Sequence, residues 1–409
     1  MMFFVKARMK IFHFFLQYFL QLNRNIFYLA VSQAFSMTAM NINMITTALA
    51  GFLIAPYGWM STLPLSLQFL TTMISTVPSS LLMARFGRRP IFLLGVFFTF
   101  FGGILMGLSL IYKLFLVFCF GSMCLGIGHS IAQFYRYAAT ETVSEDVRPK
   151  AMSLVLSAGI IAAFLGPALS KLTALGISDA IYSASFFAIA GVQFLALPCI
   201  LFLKIPLPKS TTSGGRSLSK ILNQKQMIKA LISAAGGYAI MSYLMTATPL
   251  QIVNICNFSI SENATIIQWH VVAMFAPSFI TGTLIMKYTV NRVLYLGIVC
   301  YILMVIVSLI AETTSEYLLA LVLLGLGWNF LYVGGSSLLV SLVKPEEQGK
   351  VQGVADFIII GSVAFSSLSA GFIHYFIGWD KMVLGILPFI LIILISNIDD
   401  IRKIIFAKQ

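Results

Sequence analysis

Charge is the scarcest property of this chain. Only 10% of its 409 residues are charged, against roughly 25% in soluble domains, while 59% are hydrophobic. That balance excludes a water-soluble protein. Acidic residues are rarest, 13 Asp and Glu against 26 Lys and Arg. In a soluble chain such an excess of positive charge would raise the question of nucleic acid; here its placement answers otherwise, as shown below. The five cysteines (Cys119, Cys124, Cys199, Cys256, Cys300) lie in apolar stretches without CxxC spacing, so neither a disulfide framework nor a metal site is expected. No GxxxxGK[ST] loop is present, so ATP does not drive the protein directly. The apolar stretches also lack HExxH, paired carboxylates and a nucleophile with its base. This argues against an enzyme, and no cofactor is expected.

What the chain has in abundance is long apolar runs. A membrane-crossing helix needs about 20 mainly apolar residues. Twelve such runs are predicted, over 26–53, 62–83, 91–112, 114–140, 151–173, 180–203, 229–254, 264–286, 293–311, 317–343, 352–377 and 382–397. Placing the amino terminus in the cytoplasm puts Arg85, Arg88, Arg89, Arg148, Lys150, Lys287, Arg292, Lys344 and Lys350 in cytoplasmic loops. Only Lys113 and Lys381 then fall outside. A Lys and Arg bias of this kind sets topology, so both termini are expected in the cytoplasm of a bacterial inner membrane.

The chain divides into an amphipathic segment at 1–24, a six-helix bundle at 25–203, a cytoplasmic linker at 204–226, a second bundle at 227–398 and a tail at 399–409. The first segment is basic and carries Gln17 and Gln21 within its apolar run, as befits a helix lying along the inner leaflet rather than a cleaved signal. The linker is rich in Pro, Ser, Thr, Gly and Lys, which cannot span and need not fold.

The two bundles are related. LGIGHSIAQFYR from Leu125 aligns with LGLGWNFLYVGG from Leu324, Lys150–Gly166 with Lys350–Ser366, and LLMARFGRRP from Leu81 with LIMKYTVNRV from Leu284. Three blocks at nearly one offset mark a parallel repeat of six helices. Polar residues follow a period of three spans. Span 1 carries Ser32, Gln33, Ser36, Thr38, Asn41, Asn43, Thr46 and Thr47, and span 4 carries Ser122, His129, Ser130, Gln133, Arg136 and Thr140. Spans 7 and 10 add Ser233, Ser242, Thr246, Thr248, Gln251, Asn254, Asn329, Ser336 and Ser337, whereas spans 3, 9 and 12 have almost none. Polar groups in hydrocarbon face the bundle interior or a wet cavity, so spans 1, 4, 7 and 10 should line a central path and spans 3, 9 and 12 should face lipid.

These features resemble the major facilitator superfamily over essentially the full length. Arg85-Phe86-Gly87-Arg88-Arg89 looks like the core of that family's loop motif between spans 2 and 3, with Ala84 where Asp is usual. Gly166-Pro167 is similar to the core of its exporter motif, and Ser122 stands where some proton antiporters have Arg. MTATPL from Met245, IQWHVVAMFAPSFITG from Ile267, LGLGWNF from Leu324 and VQGVADF from Val351 look like a bacterial branch of unassigned transporters. The resemblance implies a monomer of two pseudo-symmetric six-helix bundles, moving a small solute by alternating access, with a proton or ion as a coupling partner.

The substrate site is expected at Asn41, Gln133, Arg136, Tyr238, Thr246, Gln251, His270, Trp328, Asn329 and Tyr332. Arg136 reads either as a fixed positive charge for an anionic solute or as a residue snorkelling to the surface. Arg85, Gly87, Arg88 and Arg89 are expected to form a cytoplasmic gate with Glu141 and Asp356. Asp356 reads either as a proton site or as a counter-charge for those arginines. His129 and His270 read as interior hydrogen-bonded groups or proton relays. Uptake of an anionic or aromatic nutrient, vitamin or iron chelator, efflux of a drug or metabolite, and sensing on a transporter fold all remain open at this stage.

Overall fold

Hydrocarbon offers no hydrogen-bond partner to a peptide group, so each apolar run must close its own backbone bonds as a helix. The computed structural model describes residues 24–143, 148–205, 216–344 and 347–398. In them, twelve helical spans are long and apolar enough to cross a membrane: α1 Arg24–Ile54, α2 Gly58–Phe86, α3 Arg88–Ile111, α4 Phe115–Thr140, α5 Leu154–Thr173, α6 Ser183–Leu201, α7 Lys225–Ile255, α8 Ile260–Tyr288, α9 Val290–Ile310, α10 Thr314–Ser341, α11 Val351–Ile377 and α12 Trp379–Ser396. Each coincides with one predicted run, and no strand occurs among the described residues. The expected amphipathic segment and the tail lie outside the described residues.

Four spans are interrupted. α2 breaks at Ser61 and Thr62, just ahead of Pro64. α8 breaks between Phe275 and Ser278, where Pro277 supplies no N–H and its ring opposes the preceding turn. α12 breaks at Gly385 and Ile386, just ahead of Pro388. α4 breaks at Gln133 and Phe134, between Ala132 and Tyr135, at the level of the cavity described below.

The spans form two bundles, α1–α6 and α7–α12. α3 packs on α4 and α6, and α9 on α10 and α12, so these spans make their principal contacts inside their own half. The halves meet through α2 with α11, α5 with α8, and α1 with α7. The central quartet matches the polar period. The apolar windows of α1, α4, α7 and α10 are 67, 61, 78 and 56% buried, and no other span exceeds 50%.

Within the expected linker, residues 206–215 lie outside the described residues, and Leu218–Leu222 form a short helix. The reason is its apolar side. Ile221 is fully buried in a cluster with Met227, Ala230, Leu339, Val343, Val351 and Ala355, flanked by Leu218 and Leu222. This part of the linker therefore docks on the second bundle.

We call the end with the loop arginines the basic end. At the opposite end the halves are sealed. Ser66 Oγ on α2 lies 3.0 Å from Ser367 Oγ on α11, which lies 3.0 Å from Thr246 Oγ1 on α7. Lys171 Nζ donates to Thr265 Oγ1 at 2.7 Å, joining α5 to α8. Below the serines, Leu65 and Phe69 pack with Val363 and Ala364. Gly371 permits this approach, since a Cβ there would stand 1.8 Å from Thr62 Oγ1.

Candidate functional site: a cavity between the halves

On the basic side of that seal lies a cavity walled by α1, α2, α4 and α5 from one half and by α7, α8, α10 and α11 from the other. Its free space is about 100 Å³, below the roughly 300 Å³ at which ligand pockets begin. A solute of ordinary size therefore fits only when the walls part. The halves are tied near the basic end by Asp356. Its Oδ2 lies 3.3 Å from the Tyr137 hydroxyl, which donates to it, and 3.9 Å from Arg136 Nη2. Arg136 Nη2 also donates to the Tyr137 hydroxyl at 3.1 Å, and its guanidinium lies 4.7 Å from that ring's centroid. The cavity is thus closed at both ends.

The walls differ in chemistry. The second half presents aromatic rings: Trp328 and Tyr332, one turn apart on α10, stack with centroids 4.9 Å apart and planes 17° apart. Tyr238 meets both edge-on at 5.4 and 5.3 Å, and Phe275 meets Trp328 edge-on at 5.8 Å. The first half presents Gln33, Thr72, Thr76, Gln133 and Arg136 with Met37 and Leu156, and two rings of its own, Phe134 and Tyr137. Gln133 Nε2 is 3.0 Å from His129 Nε2 one turn earlier on α4.

Of the ten expected substrate residues, the structure brings Gln133, Arg136, Tyr238, Trp328 and Tyr332 together on the cavity. The other five make hydrogen bonds to neighbouring helices. Asn41 donates to Ala162 O at 2.9 Å, where α1 crosses α5 close to Gly166. Thr246 bonds Ser242 O and Ser367 in the seal. Gln251 engages Tyr317, Cys256 and His374 toward the opposite end. His270 Nδ1 lies 2.7 Å from Leu321 O, and Asn329 bonds Met274 O, Ser278 and Thr281, so both fasten α8 to α10. Polar composition alone cannot separate a residue that fastens helices from one that faces a cavity.

The expected gate is also redrawn. Arg88 grips Glu141 with both ends of its guanidinium, Nε donating to Oε2 at 2.6 Å, and buried Gly87 supplies the turn with φ 84°. Arg85 and Arg89 are exposed. Asp356 does not join them; its partners are Arg136 and Tyr137. The fixed charge of Arg136 is answered by a carboxylate from the other half.

Gln33, Met37, Thr72, Thr76, Leu156 and Phe275 were not singled out from sequence. The repeat could have found some of them. The aligned blocks place Gln133 opposite Tyr332 and Leu156 opposite Asp356, and all four line the cavity. Met37 and Tyr238 stand equally far along α1 and α7, helices of 31 residues each. Among the described residues no three His, Cys, Asp or Glu side chains cluster as a metal site.

A family model described as Major Facilitator Superfamily matches residues 15–359. The chain belongs to the Major Facilitator Superfamily. It is 34% identical over 379 residues to a riboflavin transporter of Brucella anthropi, covering 92% of this chain and 95% of that one. It is 25% identical over 370 residues to an uncharacterized transporter of the superfamily from Bacillus subtilis, covering 86% of this chain and 85% of the other. Among solved structures, a mutant of the nucleoside transporter NupG superposes with a TM-score of 0.73 at 11% identity, covering 92% of this chain and 99% of that one. At that identity the likeness shows the fold alone. The protein is a multi-pass secondary transporter of the superfamily.

Proposed function

We propose that this protein carries riboflavin, or a close relative with the same flat heteroaromatic ring, across the inner membrane of a bacterium, with its basic end toward the cytoplasm. The observation that supports this most is the division of the cavity into an aromatic wall and a polar wall. A planar ring system gains stacking on Trp328, Tyr332 and Tyr238, while Gln33, Thr76 and Gln133 offer hydrogen bonds to ring heteroatoms and a polyhydroxyl tail. Riboflavin is uncharged, which suits a cavity whose Arg136 is answered by Asp356. The likeness to the Brucella anthropi transporter supports the same substrate class.

Alternating access then requires the two closures to open in turn. The α2–α11 seal holds the opposite end shut, and parting Asp356 from Arg136 and Tyr137 opens the cavity toward the basic end. The test is accumulation of labelled riboflavin by bacteria that neither make nor import it, with and without this protein. Saturable accumulation that excess unlabelled riboflavin suppresses is expected. Equal label in both strains, with the protein present in the membrane, would remove riboflavin as the substrate.

A further inference from the structure

Three polar atoms in the cavity residues have no hydrogen-bond partner: Gln33 Oε1, Trp328 Nε1 and Arg136 Nε. Gln33 and Trp328 are only 7% and 5% exposed, so bulk water does not satisfy them. An unmet polar atom in such a place costs stability, and a transporter recovers that cost when the solute arrives. The unmet set has a definite composition of one acceptor, Gln33 Oε1, and two donors, Trp328 Nε1–H and Arg136 Nε–H. Its complement on a planar solute is one N–H donor and two acceptors, a set that an imide edge carries.

We infer that Gln33, Trp328 and Arg136 read the imide edge of the solute. The solute's N–H donates to Gln33 Oε1, and its flanking acceptors receive Trp328 Nε1–H and Arg136 Nε–H. This deepens the riboflavin reading and rests on it for the identity of the ring. Trp328 then has two separable roles, stacking with Tyr332 through its face and donating through its edge. Arg136 likewise serves the solute through Nε while Nη2 holds Tyr137 and Asp356.

The experiment measures affinities of the purified full-length protein for riboflavin and N3-methylriboflavin, which differ in the imide N–H, and for uridine and N3-methyluridine, which differ in the same way on another ring. The set is repeated with Gln33→Leu and Trp328→Phe; the second removes the donor and keeps a ring. We expect riboflavin to bind and N3-methylation to weaken it by about tenfold or more. Gln33→Leu should bring the two flavins to nearly equal affinity, and Trp328→Phe should weaken both. Riboflavin binding with equal affinity for its N3-methyl form overturns the imide inference and leaves the riboflavin reading intact. Discrimination within the uridine pair without any flavin binding overturns the riboflavin reading and supports the imide edge. Binding of none of the four overturns both.

Discussion

The two halves of this transporter place residues at the same points around the cavity and fill those points with different chemistry. Gln133 and Tyr332 are equivalent by the repeat, as are Leu156 and Asp356, and Met37 and Tyr238. One turn before Gln133 stands His129, hydrogen-bonded to it; one turn before Tyr332 stands Trp328, stacked on it. A single i, i+4 position pair has become polar in one half and aromatic in the other. Symmetric backbones give two halves that can rock as matched bodies, and divergent side chains give one face to hold a ring and another to hold its polar edge.

The basic ends diverge in a second way. In the first half the α2–α3 turn has Gly87 at φ 84° and its own Arg88 paired with Glu141. In the second half the corresponding α8–α9 turn has Thr289 at φ 80°, a region that costs a β-branched residue of order 1–3 kcal/mol. There the arginine comes from the linker. Arg216 donates through its backbone N–H, Nε and Nη2 to Glu347, and Nη2 also reaches Leu342 O at 3.0 Å. Hydrogen bonds from Arg216, with others from the backbone of Arg216 and Lys344, draw the Glu347 carboxyl down to about 2. The linker is thus anchored to the second bundle by both this ion pair and buried Ile221.

Three changes would sharpen or break this comparison. The largest effect is expected at the Leu156 and Asp356 pair, where only the second half carries charge. Asp356→Asn removes the negative charge from a contact worth roughly 1.5–3 kcal/mol, so the basic side should open more often. A cysteine placed at Thr76 should react with a membrane-impermeant thiol reagent applied from that side about tenfold faster. An unchanged rate would show that Asp356 does not hold the cavity closed. At the loop pair, Thr289→Gly should raise stability by about 1 kcal/mol, and Gly87→Ala should lower it by a similar amount, both read from thermal unfolding in detergent. Equal and small shifts would dismiss the strain at Thr289.

The smallest effect concerns the linker anchor. Because Glu347 titrates lower when folded than when unfolded, its stabilisation is complete above the unfolded value of about 4.3 and is lost as pH falls toward 2. A fluorophore on a Leu218→Cys variant should report release of the linker helix across that window. Glu347→Gln should show it released already at neutral pH. Release at the same pH in both would place the transition elsewhere.

The fold was legible because hydropathy, loop charge and an internal repeat are each written locally in the chain. Twelve runs and their pairing into halves needed no knowledge of contacts. The site was half legible. Trp328, Tyr332, Tyr238, Gln133 and Arg136 stood out as large or polar groups on the central spans and do meet at the cavity. Asn41, His270 and Asn329 stood out for the same reason, yet their hydrogen bonds go to neighbouring helices. Which side of a helix faces the other half depends on its rotation in the bundle, which a nearly uniform apolar sequence encodes weakly. The apolar wall residues Met37 and Leu156 carried no signal except their repeat partners.

The central claim is that a flat neutral solute lies against the aromatic wall of the second half while the first half supplies polar contacts. Titrating purified wild-type protein, Trp328→Ala and Thr76→Val with riboflavin tests it directly. A buried aromatic anchor is worth about 2 kcal/mol or more, so Trp328→Ala should bind riboflavin about thirtyfold more weakly or worse, whereas Thr76→Val should stay within about threefold of wild type, losing a single neutral hydrogen bond at most. Wild-type affinity in a folded Trp328→Ala protein would contradict the account, because the aromatic wall would then have no part in holding the solute.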